Sequence, residues 1–245
     1  MRILIIRHGD PDYANDCLTE KGEIEARLLA EKLKKEQIDF VYTSPLGRAK
    51  ETCMSVMKAL GRENEVQIEP LFREFHRDDS IRLPDGKIRH SIWDLLPEFW
   101  TKEDVLYDNE KWKSHPALAV GNVGKAYDEV VDRLDEILKE HGYVRDERCY
   151  RVENGNEKTI AIFCHFGVEM ILLSRLCNIS PFPLLHHFVA LTTSITTLYT
   201  EERREGIATF RCCGFGDVSH LYAGDETPSF SARFCETYGN GDRQD

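Results

Sequence analysis

Two histidines and two arginines in this chain each stand just past a segment that reads as a short strand. Arg7-His8-Gly9 closes the run Ile3-Leu4-Ile5-Ile6, Arg48 follows Thr43-Ser44-Pro45-Leu46-Gly47, and His165 follows Ile160-Ala161-Ile162-Phe163-Cys164. If the runs are parallel strands, their ligands lie beyond the carboxyl ends, where groups from several strands can meet at one sheet edge. A lone histidine at such a place is more often a satisfied core or surface residue, but four groups placed alike weaken that reading. Two guanidiniums and two imidazoles suit a phosphoryl group. One neutral imidazole can attack phosphorus while the other groups share the negative charge of the equatorial oxygens. The expected chemistry is a double displacement through a phosphohistidine, with no metal and no cofactor. Gly9 lets the backbone turn close to a ligand. Arg48, in the first turn of a helix, adds its fork to that helix's positive end.

A leaving alkoxide needs a proton, so the set lacks an acid. Glu74, in Leu71-Phe72-Arg73-Glu74-Phe75, ends the segment after a third short strand and is the candidate. A bound phosphate dianion would push its carboxyl toward the protonated form. Position alone equally fits an ordinary surface glutamate.

The elements that must hold these groups follow from apolar spacing. Arg2 to Arg7 reads as a strand apolar throughout, as in parallel sheets covered on both faces. Thr19 is a plausible N-cap for a helix with Ala26, Leu29, Ala30 and Leu33 on one face. Asp39 to Thr43 predicts a second strand, and Ser44-Pro45 the opening of a helix with Ala49, Cys53, Val56, Met57 and Leu60 on its inner face. Val66 to Ile68 predicts a third strand. Between His76 and about Asn122 the composition changes to mixed charge, three prolines and all three tryptophans, Trp93, Trp100 and Trp112. This stretch is expected to be an inserted cap, a lid that sets substrate choice, with His76, Arg77, Arg82, Lys87 and Arg89 as candidate cations. A helix resumes from about Val123 to His141. Cys149 to Val152 and Thr159 to Cys164, joined through Asn154-Gly155, predict a hairpin. A helix after Gly167 and two strands, Ser194 to Tyr199 and Ala208 to Cys212, complete a layered α/β fold with a mainly parallel sheet in one domain, residues 1–245.

Composition narrows the partners. The 245 residues carry a net charge of −11, which opposes general binding to nucleic acid or an anionic membrane. An anionic ligand must therefore meet a local cluster of positive charge. The apolar run before Arg7 is too short for a signal-peptide core or a bilayer span. The eight cysteines are scattered singly except for Cys212-Cys213, without any Cys-x-x-Cys. That spacing fits reduced thiols in a cytoplasmic setting better than a disulfide framework or a zinc site.

Taken in order, these segments resemble the histidine phosphatase superfamily, also called the phosphoglycerate mutase-like family. Arg7-His8-Gly9 matches its opening signature, and Leu18-Thr19-Glu20-Lys21-Gly22 with Glu25-Ala26 the stretch that follows. Ser44 through Arg48-Ala49 and Thr52 matches its Ser-x-x-x-Arg-Ala-x-x-Thr segment, and Gly216-Asp217-Val218-Ser219-His220-Leu221 its late rim or structural stretch. The resemblance implies a three-layer α/β/α fold, His8 as phosphorylated nucleophile, Glu74 as acid, and Arg7, Arg48 and His165 as the phosphate pocket, His165 also being catalytic. It implies a small phosphorylated substrate and leaves the oligomeric state open. Phe166 departs from the small residue usual after the second histidine. Asp10-Pro11-Asp12 and Glu74-Phe75-His76-Arg77 depart from the glycolytic mutases, which favours a phosphatase. A phosphoglycerate mutase-type phosphotransferase is the alternative, and a catalytically inactive interaction protein of the same fold is the second.

Overall fold

The computed structural model describes residues 1–75 and 81–231. Its main sheet holds β1 (Arg2–Arg7), β2 (Phe40–Thr43), β3 (Val66–Ile68), β4 (Tyr143–Asp146), β5 (Cys149–Val152), β6 (Thr159–Cys164), β7 (Ile195–Arg204) and β8 (Ile207–Asp217). The spatial order is β3-β2-β6-β1-β7-β8-β5-β4. The sheet is mixed. β3, β2, β6 and β1 run parallel, and each pairing from β1 outward to β4 is antiparallel.

Five helices matter for the site: α1 (Glu20–Leu33), α2 (Gly47–Leu60), α3 (Val123–Glu140), α4 (Phe166–Cys177) and α5 (Pro181–His187). Successive strand residues face opposite sides, so each strand feeds two cores. Leu4, Ile6, Val41, Ala161 and Phe163 pack with α1 and α2 through Leu29, Leu33, Val56 and Met57. Ile3, Ile5, Tyr42, Ile160 and Ile162 join α3 and α4 on the other face through Val130, Leu134, Ile171 and Leu172. The result is the three-layer α/β/α arrangement. Thr19 caps α1 as its sequence suggests, its hydroxyl accepting the Gly22 N–H at 3.1 Å.

Two expectations are corrected. Cys149–Val152 and Thr159–Cys164 do not form a hairpin. β5 pairs with β4 and β8, whereas β6 lies parallel between β1 and β2. The reason is burial. Every residue of β6 is buried, which demands cover on both faces, while β5 is half solvated and suits the sheet margin. The second helix starts at Gly47 instead of Ser44-Pro45, because the Ser44 hydroxyl is engaged with His165 and with the Leu46 N–H.

The described part of the stretch expected to be a cap begins with a small hairpin, Ile81–Arg82 against Ile88–Arg89, and continues in short helical turns. Trp112 is buried against Tyr127 of α3 and Phe182 of α5, and Trp100 against His186. Ile81, Ile92, Leu95 and Leu106 of the cap belong to the same apolar cluster as α3 and α4. His76 and Arg77 lie outside the described residues.

Candidate active site

Parallel register brings the strand exits together. Arg7 on β1 is level with Cys164 on β6, and Phe163 is level with Thr43 on β2. The next residue of each strand, His8, His165 and Ser44, therefore emerges at the same sheet edge. The His8 N–H donates to the Cys164 carbonyl at 3.1 Å and the Ser44 N–H to that of Phe163 at 2.9 Å. The two imidazole centroids stand 5.0 Å apart.

The His8 ring is oriented and neutral. Its Nδ1 lies 2.7 Å from the Gly9 carbonyl oxygen, which can only accept, so Nδ1 carries the proton and Nε2 keeps a lone pair. Arg48 Nε donates to that Nε2 at 3.3 Å. Burial, then the charges of Arg7 and Arg48, hold the His8 imidazole well below its ordinary range. Arg48 is itself aimed. Its Nη1 bonds Asp16 Oδ1 at 2.6 Å, Asp16 Oδ2 accepts the Gly47 N–H at 2.7 Å, and the Tyr13 ring lies 5.3 Å from the guanidinium carbon. Arg7 is buried and donates through Nη1 to the Ala190 carbonyl at 2.5 Å, and its Nε makes no hydrogen bond among the described residues.

His165 is fully buried, with Nε2 2.7 Å from Ser44 Oγ and Nδ1 making no hydrogen bond among the described residues. Burial and the positive groups around it lower this imidazole well below the ordinary value too. Since the Ser44 oxygen already accepts the Leu46 N–H at 3.2 Å, its own proton is free to go to His165 Nε2. In the tautomer where Ser44 donates, Nδ1 is the donor available to an anion. Asp16 and Ser44 are the two supporting residues whose side-chain contacts the sequence reading did not anticipate.

Glu74 reaches the same edge from the segment after β3. Its Oε1 accepts the N–H groups of Phe75 (2.8 Å), Gly167 (2.9 Å) and Val168 (3.3 Å), the last two in the first turn of α4. Burial raises its carboxyl above the usual range, against the opposing pull of those N–H groups, Arg7 and Arg48. Gly167 is required by this approach. A Cβ there would stand 2.7 Å from Glu74 Oε1 and 2.6 Å from the ring of Trp93. Phe166 is buried and meets Trp93 edge-on at 5.5 Å, so the unusual residue after His165 contacts the cap. All five residues singled out in the sequence, Arg7, His8, Arg48, Glu74 and His165, thus come together.

The profile of the histidine phosphatase superfamily (branch 1) matches residues 3–212. The chain belongs to that superfamily. Similar curated proteins include a putative phosphoserine phosphatase 2 of Hydrogenobacter thermophilus, 31% identical over 73% of this chain and 79% of the relative. A probable phosphoglycerate mutase of Photorhabdus laumondii is also 31% identical, over 40% of this chain and 52% of the relative, so the match spans about half of that protein. Among solved structures, a phosphoserine phosphatase mutant from Entamoeba histolytica in complex with phosphoserine shares the fold with a TM-score of 0.60 at 19% identity. That match covers 90% of this chain and 98% of the other. Membership of the superfamily, and relatives named as phosphatases and a mutase, support an enzyme of the phosphatase or mutase kind.

Within this superfamily member the cap touches the site through Trp93. Trp100 and Trp112 serve packing. A cleft of about 540 Å³ lies within the cap, bordered by Leu83, Phe99, Lys102 and His115 among others, and none of the five site residues lines it. Among the described residues no helix is long and apolar enough to cross a membrane.

Proposed function

We propose that the protein is a metal-independent phosphatase that hydrolyses small phosphate monoesters through a phosphohistidine on His8. The observation that carries the reading is the His8 imidazole, with Nδ1–H tied to the Gly9 carbonyl and Nε2 unprotonated beside Arg48. In the first step the Nε2 lone pair forms a bond to phosphorus, the ester P–O bond breaks, and the leaving oxygen takes the proton of Glu74. Arg7, Arg48 and His165 Nδ1 share the charge on the three other oxygens. In the second step water attacks phosphorus, Glu74 accepts its proton, and phosphate leaves as the His8 lone pair returns.

The mutase alternative needs groups that retain a doubly phosphorylated intermediate. Asp10, where mutases carry a glutamate, is turned to the protein instead. Its carboxylate accepts from Thr19 (2.6 Å), Ser231 (2.7 Å) and Ser229. That engagement favours hydrolysis. Some solved relatives are described in complex with phosphoserine or 3-phosphoglyceric acid, which supports a small phosphorylated substrate here. The net charge of −11 and the isolated thiols support a cytoplasmic enzyme without nucleic-acid or membrane partners.

The test is a panel of phosphate esters, 3-phosphoglycerate included, assayed with wild type and His8→Ala. The expected result is phosphate release by wild type alone, with acid-labile label on the enzyme after brief mixing. Isomerisation of 3-phosphoglycerate without phosphate release establishes the mutase. Acid-stable label, or label persisting in the variant, removes His8 from the role.

A further inference from the structure

Between α5 and β7 the chain passes the nucleophile loop, and Thr193 there carries φ +54°. A β-branched residue in that left-handed region is a genuine outlier that persists only where its surroundings hold it. Thr193 is wholly buried, and three hydrogen bonds hold it. Its N–H donates to the His8 carbonyl at 3.1 Å. Its hydroxyl donates to the Thr192 carbonyl at 2.8 Å. With that proton committed, the same oxygen accepts from His220 Nε2 at 3.0 Å. His220 sits in the short helix α6 (Ser219–Ala223), within the Gly216–Leu221 stretch that the proposed chemistry leaves unused. Burial pushes its ring down to about 4, so it is neutral above that pH, with its single ring proton on Nε2.

The neighbouring contacts complete a frame around the loop. The Thr192 hydroxyl donates to Glu25 Oε1 at 2.8 Å, and Glu25 Oε2 accepts the Asp10 N–H at 2.8 Å. The Gly9 N–H donates to Thr52 at 3.0 Å. The His8 carbonyl, the Gly9 N–H and the Asp10 N–H are each engaged, and the Gly9 carbonyl is left to receive His8 Nδ1–H at 2.7 Å. The direction of that carbonyl decides which ring nitrogen carries the proton.

We propose that Thr193 and His220 are positioning residues for the nucleophile, clamping the His8 peptide in the one arrangement that presents an unprotonated Nε2. The inference rests on the phosphohistidine reading and adds to it a role for the late His-Leu stretch. His220 acts through Thr193 and touches no reacting atom.

Three variants test it: Thr193→Gly, which keeps the positive φ without a steric penalty while deleting the hydroxyl, His220→Leu, which removes the donor, and His220→Gln, which restores an N–H at similar reach. Each is measured by melting temperature, by kcat and KM on p-nitrophenyl phosphate, and by nitrogen NMR of the His8 imidazole. A small misplacement of a reacting group is worth up to about a hundredfold in rate, so kcat should fall about tenfold to a hundredfold in the first two variants, with KM within about twofold. The His8 nitrogen signals should move toward a mixture of tautomers in the same two, and His220→Gln should recover most of both losses. Wild-type kcat and unchanged His8 signals in Thr193→Gly and His220→Leu would overturn the proposal. So would losses that follow the melting temperature and are not restored by His220→Gln, since packing alone then explains them. If wild type itself fails to hydrolyse the ester, the phosphatase reading fails, and the NMR comparison still judges the positioning by itself.

Discussion

Glu74 Oε1 and the Gly167 nitrogen lie 2.9 Å apart, a hydrogen bond that joins the proposed acid to the helix that begins just after His165. One helix start therefore sets two groups at once, the buried imidazole and the carboxyl. Because the N–H groups of a first turn stabilise negative charge, the neighbouring Val168 N–H, together with that of Phe75, restrains the rise in the carboxyl's pKa that burial causes. The Gly167 bond also fixes the distance between acid and pocket.

Glu74→Gln should therefore separate substrates by leaving group. Alkyl phosphates should slow by about 10²–10⁴-fold, the usual worth of general acid help, while nitrophenyl phosphate changes little. Parallel rate measurements on the two esters decide it. Equal slowing of both would remove Glu74 from the role of acid.

Gly167→Ala should damage the site without replacing a proposed catalytic residue. The new methyl would meet both Trp93 and Glu74 inside contact distance. Overpacking of this kind costs about 1–3 kcal/mol, read as a lower melting temperature or denaturant midpoint. Activity on alkyl phosphates should fall further than activity on nitrophenyl phosphate, since Glu74 is the group displaced. Wild-type stability and selectivity would contradict the tight fit.

Glu169 carries a pH prediction for stability. It is wholly buried on α4, and burial pushes its carboxyl up to about 8 from 4.5, against the opposing pull of the Thr196 hydroxyl and Arg7. The folded state then holds this proton more tightly than the unfolded chain, so stability drains away as pH rises from about 4.5 to about 8. Glu169→Gln removes the titration. Its advantage over wild type should be absent near pH 4 and reach several kcal/mol above pH 8, on the order of 1.4 kcal/mol per pKa unit as an upper bound. Denaturant melts at both ends of that range check it. An equal offset at every pH would show that Glu169 does not titrate as placed.

Activity should survive chelation with EDTA. In the proposed step the charge of the equatorial oxygens is met by two guanidiniums and an imidazole, which a chelator does not remove. Assay before and after chelation is sufficient. Complete loss restored by one divalent ion would replace the mechanism.

What could be read from the residues alone was the strand exits. Runs apolar in every position must lie inside a covered sheet, and the polar group after each run must then emerge at an end, which is why Arg7, His8 and His165 were visible. The supports were not. Asp16 holds Arg48 across 32 positions of sequence and Ser44 holds His165 across 121, and neither contact leaves a local pattern of spacing. Thr193 was silent for a related reason, since nothing in Thr192-Thr193-Ser194 announces a left-handed threonine. The failed hairpin shows two rules in competition. Asn154-Gly155 is a strong turn signal, but the full burial of β6 outweighed it and moved that strand to the middle of the sheet.

The insertion between Glu74 and α3 is rooted in the main apolar core by Trp100, Trp112 and Leu106, while Trp93 reaches the pocket. Such an element cannot be exchanged whole like a cassette, because lifting it out would strip the flank of α3 and α5. Divergence of ligand preference is then expected at two tempos. The root changes slowly under the constraint of folding, and the few positions around Trp93 are free to drift. Redesign of selectivity should follow the same division and alter the residues facing Phe166 while leaving the buried indoles in place.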